Sequence, residues 1–466
     1  MYDEIFYKNS KINIHKEKHM IKKLIIKKLG INGEGIGYLN RKIVFVPGAL
    51  PKELVLIKLT SIKTNFYTAK LIKVIKSSPF RVEPIDGQLA NLTGGLELSH
   101  LRYDQQLIWK RKTIQQALKK FHPKNYQQIK IFETIGMDDP YFYRNKLQFT
   151  TKQINNRLCA GLYQNNSHKL IPIKKISTQN PTTMDSLNKV VNILNRYHIK
   201  AYDEKTDKGI LRNIVLRSSN IDQKIQLTFI TNIPKIPNVK NIIKDINQEI
   251  PNIISIYQNI NSQKTPLIWG DKTEKLFGAN YIQEKILNYN FLVSPRSFLQ
   301  LNPIQTEKLY TIAKQLINDS FHNLLDAYSG IGTLGISLAN KFKQVKGIEN
   351  IPEAVKDANL NAQQNHINNA QFYCGTVENL LPNFISKNWF PDVLIVDPPR
   401  SGIDKKLIQL INKLDLKQFI YISCNPSTFA RDLTYLNNYK VKSIQPIDMF
   451  PQTPNVELVA NINKRG

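Results

Sequence analysis

From about residue 291 onward, short apolar runs alternate with helical stretches. The runs are 323–326, 345–349, 370–373, 393–397 and 418–422. Strands separated by helix-length connections cannot form hairpins, so they satisfy their backbone groups by pairing in parallel. This rhythm predicts a doubly wound parallel sheet with helices on both faces. Ligands of such sheets bind outside the carboxyl ends of the strands. The residues that follow each run are therefore the ones to inspect.

The first 290 residues do not share this rhythm, and 466 residues exceed one ordinary core. Residues 20–77 read as short strands punctuated by Gly33-Glu34-Gly35-Ile36-Gly37 and Pro47-Gly48-Ala49-Leu50-Pro51, which predicts a small barrel. Residues 1–80 hold 16 lysines and arginines against 5 acidic residues. A basic barrel of this kind suits single-stranded RNA. A linker-like stretch spans 78–98, and a helix is expected over 101–121. A strand-rich region then opens at Ile129-Lys130-Ile131-Phe132, and its alternation predicts antiparallel strands with one basic or polar face. The fold class is thus multidomain α/β: a small N-terminal β-barrel, an α+β middle domain and a C-terminal Rossmann-like domain.

Across the whole chain the formal net charge is +29, which favours a polyanion and points first to nucleic acid. No run of about twenty apolar residues could span a bilayer. Residues 1–20 are charged and hold no apolar signal-peptide core, so a cytoplasmic address is expected. The three cysteines, Cys159, Cys374 and Cys424, show no close pairing and no zinc spacing; no metal site is expected.

After the first run comes Tyr328-Ser329-Gly330-Ile331-Gly332, a turn in which glycine lets a ligand approach the backbone closely. The second run ends in Glu349, placed to accept hydrogen bonds from ribose hydroxyls. Two cofactors fit, a nicotinamide dinucleotide or S-adenosylmethionine. Asp326, just before the turn, favours the latter, because it can meet the ammonium of a methionine moiety but would repel a pyrophosphate. The fourth run ends in Asp397-Pro398-Pro399-Arg400, which suits methyl transfer better than hydride transfer. After the fifth run stands Cys424, in Ser423-Cys424-Asn425-Pro426. Asn425 and Pro426 break the strand and place the thiol in a turn, where Thr428 and Arg431 would lower its pKa. Glu457 opens a later strand.

These motifs, with Ser294-Pro295-Arg296-Ser297-Phe298-Leu299-Gln300-Leu301-Asn302 and the 450–457 segment, resemble the RNA uracil-C5 methyltransferase family, in family order. The N-terminal barrel resembles a TRAM domain. The resemblance implies Cys424 as nucleophile, Glu457 as general base, and Gln300, Tyr328, Gly330, Glu349 and Asp397 as the residues that bind S-adenosyl-L-methionine. It implies three domains: 20–77, an RNA-binding barrel; 78–98 with 131–288, a middle RNA-contacting domain; and 99–130 with 289–466, the catalytic domain. The expected substrate is 23S ribosomal RNA, because bacterial transfer-RNA members generally lack the barrel. The alternatives are the same chemistry on transfer RNA, or a non-catalytic RNA-binding factor. No membrane partner and a monomeric state are expected.

Many members carry an iron–sulfur cluster on four cysteines. The matching positions here are Gly87, Thr93, Leu96 and Ile176, and three cysteines in the chain are too few, so no cluster is predicted. Asn455 stands where histidine is common.

Overall fold

The computed structural model describes residues 20–165, 167–317 and 321–465. The charged segment read at the N-terminus lies, except for Met20, outside the described residues. Among those described, no helix is long and apolar enough to cross a membrane. The chain divides into two compact units. Of the described residues, one comprises those of 20–109 and 452–455, and the other those of 110–451 and 456–465.

The first unit contains a six-stranded sheet in the order Ile21–Ile25, Leu54–Ile62, Phe66–Lys76, Lys42–Val46, Gly35–Leu39, Lys28–Leu29. Its core holds Leu24, Ile26, Val44, Val46, Val55 and Ile57. Gly37 is required by packing, since a β-carbon there would lie 2.7 Å from the Leu24 side chain. Residues 78–98, grouped from sequence with the middle domain, cluster here instead. The reason is Glu53, a fully buried carboxylate that accepts from Ser78 N and from the Arg81 guanidinium on both oxygens. A buried charge this well paired ties its partners to the same core. Thr93 and Leu96 are fully buried in this unit, and Ile176 is buried in the other. Among the described residues, no group of three histidine, cysteine or acidic side chains is placed to hold a metal.

The second unit holds the larger sheets. A seven-stranded sheet runs Leu170–Pro172, Arg157–Tyr163, Lys146–Ile154, Leu211–Ser218, Ile225–Thr231, Ile253–Ile260, Lys272–Gly278. All its pairs are antiparallel except Ile225–Thr231 with Ile253–Ile260, which run parallel across the helix Val239–Glu249. The basic or polar side chains expected on these strands are present, with Asn213, Arg217, Gln226 and Thr228 among them, but at the centre of the sheet they are buried. Leu211–Ser218 and Ile225–Thr231 are buried at every position. The segment 293–301 reaches this sheet: Arg217 donates to the Ser297 carbonyl at 2.8 Å, and Asn145 N donates to the Leu301 carbonyl at 3.0 Å. Only Nη2 of the buried Arg217 guanidinium finds a partner there; its Nε and Nη1 have none.

An eight-stranded sheet has the order Ala370–Cys374, Gln344–Glu349, Asn323–Ala327, Val393–Val396, Gln418–Ser423, Glu457–Lys464, Tyr439–Ile447, Lys130–Ile131. The first five strands are parallel and match the five apolar runs; Glu457–Lys464 then inserts antiparallel. Val393–Val396 and Gln418–Ser423 are buried throughout, as parallel strands covered on both faces must be. The strand order reverses between Asn323–Ala327 and Val393–Val396, and that switch point opens a crevice at the carboxyl ends. Lys130–Ile131, read as the start of the middle region, instead pairs with Ser443 and Ile444 in this sheet. Ile135 bridges Ile447 just beyond it.

Candidate active site

One cleft of about 1410 Å³ lies at the switch point. A site for one drug-sized ligand is about 300–1,000 Å³, so this cleft has room for two ligands side by side. Gln300, Tyr328, Gly330, Glu349, Asp397, Cys424 and Glu457 all line it. The sheet brings together residues up to 157 positions apart in sequence.

Each strand end positions its side chain by a local device. After Ala327 the backbone turns through Tyr328 (φ 66°), Gly330 (φ 54°) and Gly332 (φ 79°), three left-handed residues in five. A tyrosine in this region is uncommon and is held there by its surroundings. A β-carbon at Gly332 would lie 2.7 Å from the Phe372 ring, whereas one at Gly330 would meet nothing within 4 Å. Glu349 is fixed by three backbone donors: Gly330 N at 3.1 Å, Asn350 N at 2.8 Å and Ile351 N at 3.0 Å. Two carboxylate oxygens offer about four acceptor positions, so capacity remains for a ligand hydroxyl. Gln300 Nε2 donates to Asp397 at 3.3 Å. Ser294 N and Ser297 Oγ both donate to Asp357, which secures the loop that carries Gln300.

Cys424 sits in a turn that also starts a helix. The Asn425 side chain accepts from Ser427 N at 3.0 Å, and Pro426 occupies the first helical position of Pro426–Leu433. Asn425 Nδ2 and Thr428 Oγ1 both donate to the Arg400 carbonyl, tying the Asp397-Pro398-Pro399-Arg400 loop to the cysteine turn.

Burial and the neighbouring carboxylates of Glu457 and Asp397 push the Cys424 thiol up to about 11, against a pull from Arg400. Burial also drives Glu457 well above the ordinary carboxylate range, aided by Asp397 and opposed by Arg400. Asp397 is raised too, chiefly by burial. One Glu457 oxygen, Oε1, is buried with no hydrogen-bond partner in the free protein. An orphaned acceptor in a cleft wall is costly unless a ligand uses it.

Three sequence readings change. Asp326 does not line the cleft. It is buried, and its carboxylate accepts from Gly335 N at 2.8 Å, capping the turn it precedes. Arg431 does not act on the thiol. It lines the cleft but is held by Asp432 and the Ser401 carbonyl, and Arg400 supplies the positive charge instead. Thr428 spends its hydroxyl on backbone carbonyls. Arg400, Phe298 and Phe450 also line the cleft, although sequence reasoning gave them no role there. For Arg400 the signal was its position directly after Asp-Pro-Pro.

The profile of the family described as tRNA (Uracil-5-)-methyltransferase matches residues 102–465, and the TRAM domain profile matches residues 21–72. The chain belongs to the tRNA (uracil-5-)-methyltransferase family. An uncharacterized RNA methyltransferase of Lactiplantibacillus plantarum is 46% identical over 95% of this chain and 92% of its own length. One from Enterococcus faecalis is 43% identical over 95% of this chain and 97% of its own. The solved Pyrococcus abyssi tRNA (uracil-54, C5)-methyltransferase in complex with S-adenosyl-L-homocysteine is 26% identical. It covers 95% of this chain and 100% of that one, with a TM-score of 0.75. The protein is thus an S-adenosylmethionine-dependent RNA uracil-C5 methyltransferase, and of the two cofactors left open by the glycine turn, S-adenosylmethionine is the one used.

Proposed function

We propose that the enzyme forms 5-methyluridine in 23S ribosomal RNA, with Cys424 as nucleophile and Glu457 as general base. The observation that carries this reading is a thiol and a buried carboxyl with one unpartnered oxygen, both lining one cleft. C5 of uracil is a weak nucleophile. Addition of the Cys424 thiolate, its proton released to solvent, to C6 moves the C5–C6 electron pair toward O4 and makes an enolate that is nucleophilic at C5. S-adenosylmethionine, when bound, supplies the electrophilic methyl group. Glu457 then takes the C5 proton, and the electrons released expel the sulfur and restore the ring. A carboxylate made more basic by burial is suited to that step. The target base must leave its stack to enter so enclosed a site.

Five residues would hold the cofactor. Glu349, pinned with acceptor capacity to spare, would take the ribose, and the turn Tyr328 to Gly332 lets the ligand approach the backbone. Gln300 and Asp397 would orient the reacting end between Glu349 and Cys424.

The TRAM barrel (20–77) supports the ribosomal substrate, since bacterial transfer-RNA members generally lack it. The middle region, 131–288, is assigned as a second RNA-contacting surface, and 289–466 as the catalytic part. A cytoplasmic monomer completes the proposal. One observation favours transfer RNA as a second reading: the Pyrococcus abyssi enzyme aligned over its whole chain acts on tRNA. A non-catalytic role predicts decay of the site, and Cys424, Glu457 and Gln300 are all intact. The test is to map 5-methyluridine in RNA from cells lacking the protein. Loss from 23S ribosomal RNA is expected; loss confined to transfer RNA would replace the ribosomal assignment.

A further inference from the structure

Lys110 and Asp448 form an ion pair with neither side chain exposed. Isolating two charges from water costs several kcal/mol each, and such a pair is weak evidence for stability. Here the match is incomplete, because Asp448 Oδ2 is buried without a partner. The pair joins residues 338 apart in the chain. Its value is sought in what it holds.

The segment Asp448-Met449-Phe450-Pro451 leaves the strand Tyr439–Ile447 and leads toward Glu457. Side chains from three elements grip its backbone. Lys110 Nζ, on the helix Tyr103–Phe121, donates to the Phe450 carbonyl at 2.9 Å. Asn302 Nδ2 donates to the Met449 carbonyl at 3.0 Å, and Gln305 Nε2 donates to that of Asp448 at 2.9 Å. Tyr143 OH donates to the Pro451 carbonyl at 3.0 Å. All four carbonyls of the segment are thus engaged by side chains. Met449 is fully buried, while Phe450 faces the cleft with Glu457. Buried carbonyls need partners in any connection. Here side chains from separate elements supply all four, which fixes the path from Ile447 toward the strand that Glu457 opens; a base must lie within hydrogen-bond reach of the proton it takes.

We propose that Lys110 and Asp448 are positioning residues for the proton-removal step: they fix the strap through which Phe450 and Glu457 are presented to the substrate. This rests on the assignment of Glu457 as general base. Lys110 does not line the cleft, so it acts only through the strap it holds. Removing one charge strands the other, so the informative variant is the neutral pair Lys110→Met with Asp448→Asn, beside Tyr143→Phe, which deletes a single hydroxyl from the strap.

The readout is turnover on a transcript of the RNA that the mapping above identifies, with protium or deuterium at C5 of uridine. The folded double variant is expected to lose at least tenfold in kcat, with the KM for RNA unchanged. A primary C5 isotope effect larger than that of wild type should accompany the loss. Binding of S-adenosylhomocysteine by calorimetry should match wild type. Tyr143→Phe should shift the isotope effect the same way, by less. Wild-type kcat in the double variant, or a loss without the isotope effect, would overturn the proposal; if that variant does not fold, an unchanged isotope effect in Tyr143→Phe does the same. Glu457→Gln is run alongside. If it turns over normally, the general-base assignment itself fails; if it is dead while the pair variants behave as wild type, only the positioning role fails.

Discussion

A thiol pushed up to about 11 is uncharged at neutral pH, so the free enzyme guards Cys424 rather than displaying it. In a Cys159→Ser/Cys374→Ser background, alkylation of Cys424 by iodoacetamide should be slow at pH 7.5 and rise toward pH 11. Arg400 is the cation that opposes this rise, so Arg400→Gln should slow alkylation further at pH 8. Faster labelling in that variant would contradict the electrostatic account. Glu457 has a comparable sign. A carboxyl whose pKa is raised on folding binds protons more tightly folded than unfolded, so the stability it contributes is fully present below the ordinary, unfolded value and is lost as pH rises from there through the folded-state value. At pH 8 the neutral isostere should relieve that cost. Glu457→Gln is expected to abolish turnover yet raise stability by about 1 kcal/mol, read by denaturant melts. Equal or lower stability would show that the orphaned oxygen is not the strain it resembles.

Among elements, the glycine turn is the part least tolerant of change. Gly332→Ala places a β-carbon in left-handed backbone 2.7 Å from the Phe372 ring, and should cost about 1–3 kcal/mol and weaken S-adenosylhomocysteine binding measured by calorimetry. Unchanged affinity would exclude this turn from the cofactor site. The turn was legible because glycine has a local meaning, and Cys424 because Asn425 and Pro426 announce a strand end. What could not be read was direction and partner. Asp326 stands at a strand end, where ligands bind, but its side chain points back to Gly335 N, nine residues on. Arg431 follows the cysteine turn, yet its neighbour Asp432 claims it. Lys130–Ile131 is too short for its pattern to say which sheet it joins. The Lys110–Asp448 pair lies 338 residues apart, a contact that no local pattern encodes.

Across the whole molecule, charge and topology do separate work. The excess of 29 positive charges supplies affinity for RNA, and the switch-point cleft supplies chemistry. On the barrel, Lys58 lies directly opposite Lys70, and Lys73 opposite Leu56. Replacing Lys58, Lys70 and Lys73 with glutamine should lower the slope of log affinity against log salt by about 2 for single-stranded RNA. An unchanged slope would move the RNA track to another face.

The central claim is that Cys424 bonds to the target uracil. RNA carrying 5-fluorouracil has no C5 proton for a base to remove, so the adduct should persist. Denaturing electrophoresis and peptide mass analysis of the enzyme with this RNA and S-adenosylmethionine should find the RNA attached at Cys424. The adduct should be absent with Cys424→Ala. An adduct of undiminished yield in that variant would contradict the account.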